Sequence, residues 1–367
     1  MRLLHLGDLH IGKQFYGYSL VEDQKYFFDQ ILNQIPEKKI EGVILAGDIY
    51  DRAIPSQEAV DLFDYFLDEL INTHHLPVFC ISGNHDSANR LHFASGILKK
   101  HGLHIETNLQ EKLRFVSIED EYGPLNIYFL PFFKQSSLRN LLETENKDTL
   151  ETLFHTYMAM QSIDEKKRNL IIGHGFVTGG RVEDETSVGG LEWMSAHDFE
   201  KFDYVALGHI HQTKKVMGEN MYYAGSPLVY SLDELGQYKA LLIVELKEKG
   251  HVEVEHWQIE PLRKVLKVEG YLDDLRKMEP CHDYVFVYLK DENMKSMAAN
   301  ILRVVYPNLL GLTYNFNLNQ EQYHLPEYVA YQQTDLDLFK DFYREMTGME
   351  VSKIYLDLFN ELRGEDE

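Results

Sequence analysis

Five times in this chain an apolar, strand-like run ends in a short polar cluster built from Asp, His and Asn. The runs are RLLHLGDLH (2–10), GVILAGDIYD (42–51), PVFCISGNHD (77–86), NLIIGHGF (169–176) and YVALGHIH (204–211), and a Gly stands directly before each cluster. Four to six apolar residues bounded by turn signals read as a buried strand. In sheets of this kind, ligands collect outside the carboxyl ends of the strands. One such loop would be ordinary: Asp48 could cap a following helix, and 83–86 could be a tight turn. Five in order, carrying only oxygen and imidazole donors, read as one metal site assembled from five loops.

The donor set these clusters offer is carboxylate and amide oxygen with imidazole nitrogen. It lacks thiolate, which disfavours a structural zinc site and suits manganese, iron or a catalytic zinc. Seven side chains are too many for one ion and fit two ions sharing a carboxylate. Two cations about 3.5–4 Å apart clamp a phosphate and activate water, which points to phosphate-ester hydrolysis.

Amphipathic helices lie between the strands. Phe28, Ile31, Leu32 and Ile35 repeat at helical spacing, as do Val60, Phe63, Leu67, Leu70 and Ile71 behind Ser56 as N-cap. A third helix is expected near 148–162. After residue 204 the pattern turns to β-hairpins, at 213–217 with 221–225 and at 241–245 with 252–258. The expected fold class is α/β: a two-sheet sandwich flanked by helices, spanning 1–260. Around Pro261 the character changes, and 261–320 reads as a small α+β domain with strands near 263–269, 283–289 and 309–317. Residues 321–333 read as a linker. The tail, 334–367, carries two apolar stripes: Leu336, Phe339, Phe342, Tyr343 and Met346, then Val351, Ile354, Tyr355, Leu358, Phe359 and Leu362. Helices this short are marginal alone, so the stripes pack either on this chain or on a partner.

Composition sets the remaining bounds. At 367 residues, with 44% hydrophobic and 26% charged residues, the chain suits a globular main domain with appendages. No run approaches the roughly 18–20 apolar residues of a membrane helix. A cleavable leader would remove Asp8 and His10, so none is expected. The two cysteines, Cys80 and Cys281, make no disulfide framework and suit a reduced, cytoplasmic setting. The net charge of −23 is awkward for a protein that grips nucleic acid unaided. Only 262–320 escapes it, with eight Lys/Arg against seven Asp/Glu, a net of +1.

The order Asp-x-His, Gly-Asp-x-x-Asp, Gly-Asn-His-Asp, Gly-His, Gly-His-x-His resembles that of the calcineurin-like metallophosphoesterases. The opening MRLLHLGDLHIGK, the Gly-Asp-Ile-Tyr-Asp-Arg-x-x-Pro-Ser segment, Val188-Gly-Gly-Leu-Glu, Phe202–His211 and Ala224-Gly-Ser-Pro-Leu resemble the members of that family that process DNA breaks. The resemblance implies that Asp8, His10 and His211 hold one ion with bridging Asp48. It further implies that Asp48, Asn84, His174 and His209 hold a second ion, manganese being the expected metal. His85 would protonate the leaving oxygen, and Asp51 would hold that imidazole in the useful tautomer as a carboxylate does in other hydrolases. The same resemblance implies a double-strand exonuclease and single-strand or hairpin endonuclease. It would be a homodimer within a heterotetramer with an ATPase subunit that the tail binds, while 261–320 caps the site and contacts DNA. Partner and metal would then supply the positive potential this chain lacks. A stand-alone nucleotide phosphodiesterase or phosphatase would carry the same motifs without needing the extra domain and tail. A non-catalytic scaffold would not need the unbroken ligand set.

Overall fold

Two six-stranded sheets lie face to face in the computed structural model of the chain, which describes residues 1–144, 148–179, 193–291 and 297–314, with Lys340, Val351, Tyr355 and Leu356 beyond. The first sheet runs Val252–Trp257, Leu241–Leu246, Arg2–Leu6, Gly42–Ala46, Val78–Ile81, Leu103–Glu106. The second runs Lys214–Met217, Met221–Tyr223, Tyr204–Gly208, Arg168–His174, Gly123–Leu130, Arg114–Asp120. Each contains four adjacent parallel strands with antiparallel strands outside them. Parallel strands covered on both faces read as continuous apolar runs, which is why GVILA and NLIIG show no polar alternation.

Between the sheets Leu3, Ile44, Phe79, Ile127, Leu170 and Ala206 are wholly buried. At roughly 1.5–3 kcal/mol for each large apolar side chain taken from water, this layer contributes much of the stability. Outside the first sheet, the Val21–Lys38 helix lays Phe27, Phe28, Ile31, Leu32 and Ile35 against Leu4, Leu6, Val43 and Leu45. The Gln57–Asp68 helix beside it is capped by the Ser56 side chain, which accepts from the Ala59 amide at 3.3 Å. Outside the second sheet, the Leu150–Ala159 helix buries Leu153, Phe154 and Tyr157. The expected α/β sandwich with outer helices is the observed one.

A third sheet of parallel strands, Val265–Gly270, Tyr284–Leu289 and Leu309–Tyr314, carries the Leu272–Leu275 turn and the Ala298–Val305 helix on one face. Its other face meets Phe15, Leu20, Leu228 and Tyr230 of the sandwich. Arg263 fixes the junction: it donates to Asp23 at 2.8 Å and also pairs with Glu22, while the Tyr284 hydroxyl donates to Asp23 at 2.9 Å. Of the residues in the two apolar stripes of the tail, only Val351 and Tyr355 are among the described residues. The 321–333 segment and all five residues of the Val188-Gly-Gly-Leu-Glu motif lie outside them.

Candidate metal centre

Register brings the five loops together. Leu6 pairs with Leu45 and Ala46 with Ile81, so the strands leading to Asp8, Asp48 and Asn84 end level. In the second sheet Gly208 pairs with His174, so the last two clusters also emerge side by side. The first two loops then zip together: the Asp8 amide donates to the Gly47 carbonyl at 3.1 Å, and the His10 amide to the Asp48 carbonyl at 3.0 Å.

These loops hold unusual backbone. Asp8 (φ 50°), His10 (44°), Asp48 (50°) and His209 (108°) all have positive φ. Asp and His tolerate the left-handed region better than most residues, but such conformations cost about 1–3 kcal/mol each and cluster at functional sites. Two glycines show how tightly the loops approach. A Cβ on Gly47, itself at φ 85°, would lie 2.4 Å from His174 Nδ1, and one on Gly83 would lie 2.1 Å from Asp48 Oδ1.

All seven expected ligands converge. Donor atoms of Asp8, His10 and His211 lie within 4.8 Å of one another, as do those of Asp8, Asp48 and His174. Asp48 Oδ2 sits between the two groups, 3.6 Å from His10 Nε2 and 3.5 Å from His174 Nε2. Asn84 Oδ1 lies 3.1 Å from both His174 Nε2 and His209 Nδ1. The remaining atoms of the carboxylates are held by main chain: Asp8 accepts the His209 amide at 2.9 Å, and Asp48 Oδ1 accepts the His85 amide at 2.8 Å.

The donor chemistry fits cations. His174 Nδ1 donates to the Ala46 carbonyl at 2.7 Å, so in the neutral ring Nε2 is a lone pair aimed at two oxygens. His211 Nδ1 donates to Glu234 at 2.7 Å, which leaves its Nε2 lone pair facing His10 Nε2 at 3.1 Å. Around His174, acceptors pointing at one another with no hydrogen between them call for a positive charge. In the metal-free chain a proton takes that place: burial opposes charging His174, yet its hydrogen bond to Asp48 and the charges of Asp48 and Asp8 raise its pKa to about 9. Burial pushes Asp8 up to about 6, His10 down to about 3 and His209 down to about 4. Asp48, although burial works against it, is held well below the usual carboxylate range by His174 and His10.

The signs of these shifts carry a stability prediction. His174, raised above its unfolded value of 6.5, contributes stability below that pH and loses it as pH rises through about 9. His10 and His209, both depressed, act only below 6.5, so His174 governs the alkaline window. The chelated chain is therefore expected to lose melting temperature between pH 6.5 and 9. Added manganese should raise it most at the alkaline end, because ligands must shed protons to bind. A chelated melting temperature that stays level across this range would contradict the arrangement.

His85 stands beside the cluster, its ring 4.8 Å from that of His10. Its Nδ1 lies 3.0 Å from the main-chain carbonyl of Asp51. This differs from the expectation that the Asp51 carboxylate would orient it. That carboxylate is taken by the Lys13 ammonium at 2.7 Å and stands 3.7 Å from His10 Nδ1. A cation among His10, Asp51 and His85, whose donor atoms also lie within 4.8 Å, would have to compete with that ammonium.

Several residues at the site have roles that the motifs do not assign. The Asp86 carboxylate accepts from the amides of Ile49, Tyr50 and Gly83 at 2.9–3.1 Å, tying the second loop to the third. Gln24 donates to the Leu9 and His10 carbonyls at 3.1 and 2.8 Å. Glu234 and Lys239 lie behind His211. Of these only Asp86 lies within a motif, as the last residue of Gly-Asn-His-Asp, and that place could have flagged it.

Residues 1–213 match the calcineurin-like phosphoesterase family. The chain is 28% identical over 373 aligned residues to the SbcD component of the nuclease SbcCD from Staphylococcus epidermidis, covering 99% of this chain and 98% of that one. It is 31% identical to the protein of the same name from Staphylococcus saprophyticus, covering 95% and 94%. Among solved structures, a dimetal phosphatase from Danio rerio aligns with 71% of this chain and 98% of its own at 13% identity, with a TM-score of 0.43.

Proposed function

The chain belongs to the calcineurin-like phosphoesterases, among the SbcD components of SbcCD nucleases, and from that premise we propose that it is a metal-dependent DNA nuclease working with an SbcC-type ATPase. One observation carries the reading: seven oxygen and imidazole donors from five loops converge around Asp48. Asp8, His10 and His211 would hold one divalent ion, Asn84, His174 and His209 the other, with Asp48 between them. Two such ions supply the charge that binds a phosphodiester and makes water a better nucleophile. Manganese suits the four imidazoles better than magnesium does.

The chain's own groups supply the rest. With Nδ1 donating to the Asp51 carbonyl, His85 keeps the same ring orientation whether charged or neutral, and its Nε2 is left to pass a proton to the leaving oxygen. The His85 amide on Asp48 sets this imidazole at a fixed offset from the bridging carboxylate. Lys13, held by Asp51 at 2.7 Å, adds a cation at the rim of the site.

Residues 261–320 are read as the capping domain over this site, 321–333 as a linker and 334–367 as the ATPase-binding tail. The near-neutral balance of 262–320 and the apolar stripes from Leu336 to Leu362 support this. Pairing of two copies within the complex follows from the family reading. A cytoplasmic setting is supported by the two free cysteines; among the described residues no helix is long and apolar enough to cross a membrane.

Incubating the chain and manganese with end-labelled duplex and hairpin DNA, with and without the ATPase, tests the assignment. Shortened DNA products are expected; cleavage of small phosphodiesters alone would favour a stand-alone phosphodiesterase. Deleting 334–367 is expected to release the ATPase while small-phosphodiester cleavage persists. Co-purification of the ATPase with the shortened chain would remove the tail from the interface.

A further inference from the structure

The proposed function leaves a buried acid–base pair without a role. Glu234 is 5% exposed, and its Oε1 accepts from His211 Nδ1 at 2.7 Å. Its Oε2 accepts from the Lys239 ammonium at 2.8 Å and the Tyr230 amide at 3.1 Å. The same ammonium donates to the His211 carbonyl at 2.9 Å and to Ser226 Oγ at 2.6 Å, and the Ser226 amide donates to the His211 carbonyl at 3.0 Å. His211 is thus gripped at both its ring and its main chain by one segment, 226–239.

That segment also reaches the first loop. The Tyr230 hydroxyl bonds to the Leu9 carbonyl and takes a hydrogen bond from Gln24 at 3.1 Å, and its ring packs on His10 at 5.6 Å and on His211 at 6.0 Å. His10 and His211 are therefore both backed by it. Among the described residues His174 is oriented differently, by the Ala46 carbonyl on the far side of the centre.

We propose that Glu234, kept in place by Lys239, is a positioning residue that fixes the His211 tautomer and so controls the affinity of one of the two metal ions. A carboxylate on Nδ1 keeps the proton there and turns the Nε2 lone pair toward the ion; loss of such a partner typically weakens metal binding 10–100-fold. An anion this close also makes the imidazole a stronger donor. The inference rests on the reading of His211 as a metal ligand.

Calorimetric titration of the chelated full-length chain with manganese separates the two ideas. The wild type should take up two ions; if it does not, the ligand reading itself fails. Glu234→Ala should weaken one ion by about 10–100-fold and leave the other unchanged, and at one equivalent the paired manganese resonance should give way to that of an isolated ion. Glu234→Gln, whose amide oxygen can still accept from Nδ1 but whose NH2 then faces the Lys239 ammonium and the Tyr230 amide, should recover only part of the affinity. Because Glu234 also holds the Tyr230 amide, chelated melting curves are compared, and if Glu234→Ala does not fold, Lys239→Met carries the test with a smaller loss at the same ion. Equal weakening of both ions, or none, in folded variants overturns the proposal.

Discussion

Replacing His85 with alanine should lower phosphodiester cleavage by about 10²–10⁴-fold, the range expected for loss of a positioned acid–base group, while two manganese ions per chain remain bound. The geometry separates the two effects. Asp48 is held by the main-chain amide of residue 85, not by its ring, so deleting the imidazole leaves the bridging carboxylate anchored. The His85 ring is exposed and bonds to the Asp51 carbonyl, so little packing is lost. Metal content by elemental analysis and rate on a small phosphodiester, measured on one preparation, decide the matter. Loss of both ions with the imidazole would make His85 a ligand.

Asp48→Ala should have the larger effect on metal. This carboxylate faces His10 and His174 at 3.6 and 3.5 Å and is buried with them. Removing it takes the shared anion from both ion positions and the acceptor from the His85 amide. The charge stabilisation lost is several kcal/mol, which at about 1.4 kcal/mol per decade means a fall of a thousandfold or more. Metal content should drop below one ion per chain. A variant that keeps both ions and cleaves within about tenfold of wild type would show that Asp48 does not bridge.

Local chemistry makes much of this legible in the chain itself. Buried parallel strands announce themselves as unbroken apolar runs, and the glycine after each run marks where backbone must approach backbone, as at Gly47 and Gly83. The helix of Phe28, Ile31 and Ile35 and the cap at Ser56 follow from residue spacing alone. What leaves no trace there depends on distant pairings. Glu234 meets His211 across 23 positions, and Tyr230 meets Leu9 across 221, in segments with no periodic or motif signal. Asp51 shows a subtler limit. Its place near His85 is legible, but its carboxylate is drawn to Lys13, a choice made by side-chain geometry that no spacing encodes.

Anomalous diffraction from manganese-soaked crystals, recorded across the metal's absorption edge, tests the central claim most directly. Two peaks are expected on either side of Asp48, one bounded by Asp8, His10 and His211, the other by Asn84, His174 and His209. A single peak, or peaks remote from Asp48, would contradict a shared two-ion centre.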